Sequence, residues 1–227
     1  METVNGNRDE LDLKVVELIR KTTLEILKEK DFVVFGIPGG KSVTGVFEKL
    51  KNFNLPWEKI HIFMVDERFV PLTDKESNFG QAQEIFIGEL FRKGKLPEEN
   101  VHPFVFSEDK AGSVSEYEEE FKEFGGKFDV VLLGLGGDGH IASLFPEHDE
   151  FQNEGCFVYV NDSPKLPKER MSVTRKVIEK SGTVILLVYG SDKKEAYKKF
   201  SDEEVSVEAC PAKLIFNVKD SYVFVSN

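Results

Sequence analysis

The chain has 227 residues, 40% hydrophobic and 31% charged, with a formal net charge of −11. That length suits one sizeable domain with a real core, spanning residues 1–227, and is short for two. The acidic balance argues against nucleic acid and anionic membranes as partners, since both demand a basic face, and an anionic ligand would need cations gathered locally in a cleft.

Residues 9–29 place Leu11, Val15, Leu18, Ile19, Thr22, Ile26 and Leu27 at helical spacing, with Lys and Glu between them. Short continuous apolar runs follow at 32–35, 60–65, 128–133, 156–160 and 183–189, rich in β-branched and aromatic residues. Such runs fit strands buried on both faces, as in a parallel sheet. Helical stretches are predicted between them at 41–51, 78–92, 113–124 and 191–200, and 214–218 with 222–225 reads as a closing pair of strands. Strands alternating with helices define an α/β fold. The expected architecture is a doubly wound, mostly parallel sheet with helices on both faces and a small additional β element near the C-terminus.

In such sheets ligands bind beyond the carboxyl ends of the strands, where the strand order switches. Glycine and charge gather at those ends. The run 32–35 leads into Gly36-Ile-Pro-Gly-Gly-Lys-Ser42, and 60–65 into Asp66-Glu-Arg-Phe-Val-Pro71. The run 128–133 leads into Gly134-Leu-Gly-Gly-Asp-Gly-His140, and 183–189 into Gly190-Ser-Asp-Lys193.

The first turn lacks one residue between its glycines to be a Walker loop. Gly39 and Gly40 ahead of a helix can still offer amides to an anion. The segment Gly134–Gly139 matches G-x-G-x-x-G, but Pro146 interrupts the helix that a dinucleotide fold requires, and Asp138 sets a negative charge where a pyrophosphate would lie. A better account pairs Asp138 with His140: the carboxylate orients the imidazole and the other ring nitrogen takes a proton from water. Arg68 and Lys193 can supply the positive field that the chain lacks overall.

His61 falls within a strand pattern, His102 near a turn, and His148 in the polar stretch 146–150. His140, His148 and Asp149 lack any recognised metal-ligand spacing. No G-x-S-x-G elbow occurs. Cys156 and Cys210 stand far apart outside any C-x-x-C pattern, which predicts buried free thiols in a reducing compartment. The longest apolar runs cannot span a bilayer, and no secretory leader pattern is visible, so a cytoplasmic protein is expected.

Four segments together resemble the 6-phosphogluconolactonase family, within the wider group that includes glucosamine-6-phosphate deaminase. They are Gly39–Ser42; Asp66–Pro71 with Ser77-Asn78; Leu133–Pro146; and Ser163–Thr174. The likeness spans nearly the whole chain. Deaminases carry Asp-Glu-Tyr in the second segment, where this chain has Arg68, and Phe-Asn-Glu-Pro after the His-Ile-Ala core, where it has Ser143-Leu-Phe-Pro146. The family's first turn usually reads Ser-Gly-Gly-Ser-Thr-Pro, which this chain replaces by Ile37-Pro-Gly-Gly-Lys-Ser42.

The resemblance implies hydrolysis of a phosphorylated sugar lactone with no metal and no organic cofactor. His140 would be the general base, assisted by Asp138. Gly39, Gly40, Lys41, Ser42, Arg68 and Lys193 would hold the phosphate, with Arg170 in support. The sequence does not assign the oxyanion donors, for which amides of the 134–139 loop are natural candidates. A small-molecule ligand is the expected partner, and a monomer or small homo-oligomer the expected state.

Overall fold

The computed structural model describes residues 1–226. Its centre is a seven-stranded sheet built from β1 (Glu2–Asn5), β2 (Val33–Ile37), β3 (Ile60–Met64), β5 (Val101–His102), β6 (Val130–Gly134), β9 (Thr183–Tyr189) and β10 (Asp220–Ser226). The order is β1-β10-β9-β6-β2-β3-β5, with every pairing parallel. All residues of β2 and β9 are buried, as expected for strands covered on both faces. The cover comes from α1 (Arg8–Ile26), α2 (Thr44–Leu50), α5 (Lys110–Glu123), α6 (Arg175–Lys180), α7 (Lys194–Ser201) and a longer segment. That segment joins α3 (Asn78–Ala82) and α4 (Gly88–Arg92) through a π-helical stretch, Gln83–Ile87.

Local chemistry sets several of these boundaries. The Asn7 side chain accepts the Glu10 amide at 3.0 Å and starts α1, and Asp109 accepts the Gly112 amide at 2.9 Å to start α5. The helix predicted over 41–51 begins only at Thr44, because residues 38–43 form the turn after β2.

A second sheet stands apart from the first. The strands β4 (Asp66–Arg68), β8 (Arg170–Val173) and β7 (Phe157–Val160) run antiparallel in the order β4-β8-β7. The run 156–160, predicted as a strand of the parallel sheet, belongs here. Its apolar residues pack on the side of the fold, where Phe157 lies 4.9 Å from the Tyr117 ring and 5.1 Å from Phe121. The small sheet is tied to β3 by the Val173 amide, which donates to the Val65 carbonyl at 2.7 Å.

The predicted closing pair is half right. Residues 222–225 lie in β10, but 214–218 falls largely in the 3-10 helix Pro211–Asn217. Pro211 opens that helix, and the spacing of buried Ala212, Leu214 and Ile215 follows a turn rather than a pleat. Strand β10 pairs instead with β9 and with the unpredicted β1, a polar edge strand without apolar alternation. No helix among the described residues is long and apolar enough to cross a membrane.

Candidate active site

Strand order turns between β6 and β2, since the chain runs outward from β2 to β3 on one side and from β6 to β9 on the other. Loops leaving β2 and β6 therefore diverge and open a crevice at their carboxyl ends. A cleft of about 470 Å³ occupies this position, walled by residues 38–42, Asp66, Arg68, Asn78, Gly134–Gly136, His140, Ala142, Lys165, Leu166, Arg170 and Lys193. Five cationic side chains face the one carboxylate of Asp66 among these lining residues. The acidic chain thus concentrates positive potential at one place.

His140 lies on the floor of the cleft. Its Nδ1 is hydrogen-bonded to Asp138 Oδ1, and its backbone amide donates to the same oxygen at 3.3 Å. Because an ionised carboxylate can only accept, Nδ1 carries the proton and Nε2 is left with its lone pair. Burial alone would raise the Asp138 carboxyl, but the hydrogen bonds from His140 and the nearby Lys165 ammonium together hold it well below the usual carboxylate range. The imidazole rests directly over Gly136, where a Cβ would come within 2.0 Å of Nδ1, and packs on Phe145 with ring centroids 4.8 Å apart. Only glycine admits the ring there. Pro146 acts as the sequence suggested: no helix follows His140, and the chain turns through an Ile141–Leu144 bridge with Ala142 at φ 50°.

The phosphate candidates occupy two walls. On the first, Gly39 approaches Asn78 so closely that a Cβ would lie 2.0 Å from its Oδ1. The Gly40 amide is already bound by the Gln81 side chain at 2.7 Å, so this amide is engaged within the fold. Lys41 and Ser42 continue the same wall, and their carbonyls accept from Arg8 at 2.6 and 3.4 Å. On the second wall Arg68 donates to the Glu76 carbonyl at 2.5 Å, while its buried Nε makes no hydrogen bond among the described residues. A buried guanidinium donor without a partner suits an anion that enters from outside. Lys193 lies at the edge, 3.0 Å from Asp192.

Arg170 is buried and differs from the other cations. Its guanidinium donates to the carbonyls of Lys165 (3.3 Å), Leu166 (3.2 Å) and Pro167 (3.0 Å) and to Ser143 Oγ (3.4 Å). Ser143 Oγ in turn donates to Asp66 Oδ2 at 2.8 Å. The loop carrying Lys165 is thereby stapled over the cleft. Lys165 Nζ stands 3.1 Å from His140 Nδ1 and 3.2 Å from Asp138 Oδ2.

Sequence reasoning placed neither Lys165, Asp66 nor Asn78 in the site. The available signal was a lysine held in Ser163-Pro-Lys-Leu-Pro167, a proline-flanked loop of fixed shape. Buried Glu67 was likewise missed. It accepts from the amides of Arg68, Asn78 and Phe79 at 2.7–2.8 Å and from Ser77 Oγ at 3.0 Å, and so sets the loop that aims Arg68.

The remaining histidines lie elsewhere. His61 Nδ1 meets His102 Nε2 at 3.0 Å on β3 and β5, and His102 Nδ1 meets Glu120 at 2.6 Å. His148 Nε2 donates to the Asp162 carbonyl at 3.2 Å. Among the described residues no group of three or more His, Cys, Asp or Glu side chains is placed to hold a metal ion. Both cysteines are free; Cys210 is buried as predicted, but Cys156 is only partly so, because it ends the strand-leading loop at Gly155 beside Gly126.

A parallel α/β sheet with a histidine–carboxylate dyad at its switch point, facing a cationic cleft, has the architecture of proteins whose clefts suit small anionic ligands. Residues 6–224 match the family described as glucosamine-6-phosphate isomerases/6-phosphogluconolactonase, and the chain belongs to that family. A 6-phosphogluconolactonase of Borreliella burgdorferi is 36% identical over 194 residues, covering 85% of this chain and 82% of that protein. The crystal structure of a 6-phosphogluconolactonase from Thermotoga maritima superposes with a TM-score of 0.84 at 28% identity, covering 100% of this chain and 99% of that one. A monomeric glucosamine-6-phosphate deaminase shares the fold with a TM-score of 0.85 at 22% identity, covering 100% and 98%.

Proposed function

We propose that this protein hydrolyses 6-phospho-D-glucono-1,5-lactone to 6-phosphogluconate, with His140 as general base. One observation carries the reading: the Asp138–His140 dyad leaves Nε2 as the basic nitrogen in a cleft rich in cations. The lactonase relatives supply the substrate class. Arg68, Lys193, Lys41, Ser42 and the turn at Gly39–Gly40 grip the phosphate, and Arg170 acts as a positioning residue through its bonds to the 165–167 carbonyls. The Gly40 amide takes part only if Gln81 releases it.

In the reaction, water loses a proton to His140 Nε2 as its oxygen attacks the lactone carbonyl. The tetrahedral intermediate then collapses, the bond to the ring oxygen breaks, and His140 returns the proton to that oxygen. General acid–base catalysis of this type contributes about 10²–10⁴-fold. A δ-lactone also opens spontaneously, so so modest an apparatus suffices. The chemistry needs no metal or organic cofactor, and the two unpaired cysteines suit a reducing, cytoplasmic setting.

The shared fold keeps the deaminase reaction in view. The third position of the deaminase Phe-Asn-Glu-Pro motif corresponds to Phe145, an apolar ring packed on His140 that cannot relay a proton. The test mixes purified protein with freshly made lactone and follows acid release above the spontaneous rate, with ammonia release from glucosamine 6-phosphate measured in parallel. Lactone turnover that falls about 10²-fold or more in His140→Ala supports the proposal. Near-full activity in that variant would remove His140 as the base, and ammonia release without lactone turnover would favour the deaminase reaction.

A further inference from the structure

The attack on a lactone carbonyl places a negative charge on its oxygen, and a donor must meet that charge near the base. The glycine loop is the obvious source, yet most of its amides are spent. The Leu135 amide donates to the Leu187 carbonyl (2.9 Å), Gly136 to His140 (2.8 Å), Gly139 to Gly136 (3.0 Å) and His140 to Asp138 Oδ1 (3.3 Å). Gly137 is exposed and lies outside the cleft wall. The loop is wound tightly enough to hold the dyad, and that winding uses the amides of Leu135, Gly136, Gly139 and His140.

The cations offer the alternative. Arg170 is committed to three carbonyls and Ser143, and Arg68 and Lys193 lie on the walls assigned to the phosphate. Lys165 is different. Its ammonium stands 3.1 Å from His140 Nδ1 and 3.2 Å from Asp138 Oδ2, beside the dyad and in the wall of the same cleft. An ammonium has three donors, and Nδ1 of His140, already bonded to Asp138, takes none of them. Asp138 accepts one, which leaves donors for an incoming oxygen. The backbone under Lys165 is fixed as well: its amide donates to Ser163 Oγ at 3.1 Å, its carbonyl accepts from Arg170, and the Ser163 amide closes the loop onto the Lys168 carbonyl at 3.0 Å.

We infer that Lys165 is a catalytic residue whose ammonium stabilises the oxyanion formed when the lactone carbonyl is attacked; the inference rests on the hydrolase reading above. As the water oxygen bonds to the carbonyl carbon, the π pair moves onto the carbonyl oxygen beside Lys165 Nζ, and the water proton goes to His140. When that pair re-forms the carbonyl, the ring C–O bond breaks and His140 protonates the leaving oxygen. Lys165 keeps its protons throughout. It also neutralises Asp138 between turnovers, which keeps the carboxylate from repelling the developing charge.

The test compares Lys165→Met and Lys165→Arg with the unaltered protein in the lactone assay, each checked for its fold by circular dichroism, with affinity for 6-phosphogluconate measured by calorimetry. Loss of one oxyanion donor costs about 10²–10³-fold in kcat. Lys165→Met is expected to lose about 10²-fold in kcat with KM and product affinity within about threefold, and Lys165→Arg to recover much of the loss. A Lys165→Met protein that keeps kcat within threefold overturns the inference and leaves the hydrolase reading intact. So does one in which KM and product affinity suffer while kcat is kept, since Lys165 would then be a ground-state phosphate ligand. No turnover by the unaltered protein overturns both.

Discussion

Replacing Gly136 by alanine tests whether the imidazole must lie where the structure puts it. The added Cβ would sit 2.0 Å from His140 Nδ1 and 2.1 Å from Cε1. Unbonded carbon contacts are comfortable only near about 3.5 Å, so the ring must retreat by more than about 1 Å. The atom it meets first is the one bonded to Asp138, and the retreat therefore breaks the bond that sets the tautomer. A displacement of about 1 Å at a catalytic group can cost about 10²-fold. The fold should suffer much less. Gly136 has no left-handed φ, the ring can swing toward the cleft, and alanine lowers the entropy of the unfolded chain by about 0.4–1 kcal/mol. That gain offsets part of the roughly 1–3 kcal/mol usual for overpacking. We expect Gly136→Ala to lose about 10²-fold in kcat, read by acid release, while Tm in a thermal melt falls by no more than about 10 °C. A variant that keeps kcat within threefold would show that the stacked position of His140 is irrelevant to turnover.

Two further outcomes concern titrating groups. Asp138→Asn presents an amide to Nδ1, favours the tautomer with a proton on Nε2 and should lower kcat by about 10²–10⁴-fold, measurable in the same assay. The folded carboxyl of Asp138 is held below its unfolded value, so its stabilisation is fully present above about pH 4 and is lost only as pH falls through the lower folded value. Melts of Asp138→Asn and the parent should therefore converge as pH falls below about 4, and a gap that stays constant down to about pH 2 would contradict the depressed carboxyl. The His61 imidazole is pushed down to about 4 by burial and by His102, with Glu99 opposing, in a pocket also bounded by Glu120, Phe32 and Phe124. Its unfolded value is near 6.5, so stability is lost as pH falls below 6.5 and the loss is complete below about 4. With the partial exposure of the ring discounted, the loss is on the order of 1–2 kcal/mol. In pH-dependent denaturant melts His61→Gln should flatten that acid-side decline, and an unchanged slope would assign the decline to other groups.

Much of this protein was legible along the chain. Continuous apolar runs such as 183–189 betrayed strands buried on both faces, because a residue with no solvent-facing side leaves no alternation. The same logic located the site, since glycine and charge directly after a buried strand have few structural uses. The Asp138–His140 pair was readable because its members are two residues apart and the turn joins them. The run 156–160 misled for the complementary reason: a strand buried by helix α5 on one side of a small antiparallel sheet looks like one of the parallel strands. The strand assigned to 214–218 failed because a short apolar run does not distinguish a pleat from a 3-10 turn.

What the chain order by itself determined was the doubly wound sheet, the loops that make the cleft and the dyad within one of them, all features written in neighbouring residues. Tertiary structure alone decided which cations do what. Arg170 and Lys165 are only five residues apart, yet one is turned inward onto three carbonyls and the other outward beside His140. The antiparallel pairing of β8 with β4 fixes that difference by setting Arg170 opposite Arg68. Sequence spacing cannot carry such information, because the field in the cleft is summed over loops that meet only when the sheet has closed.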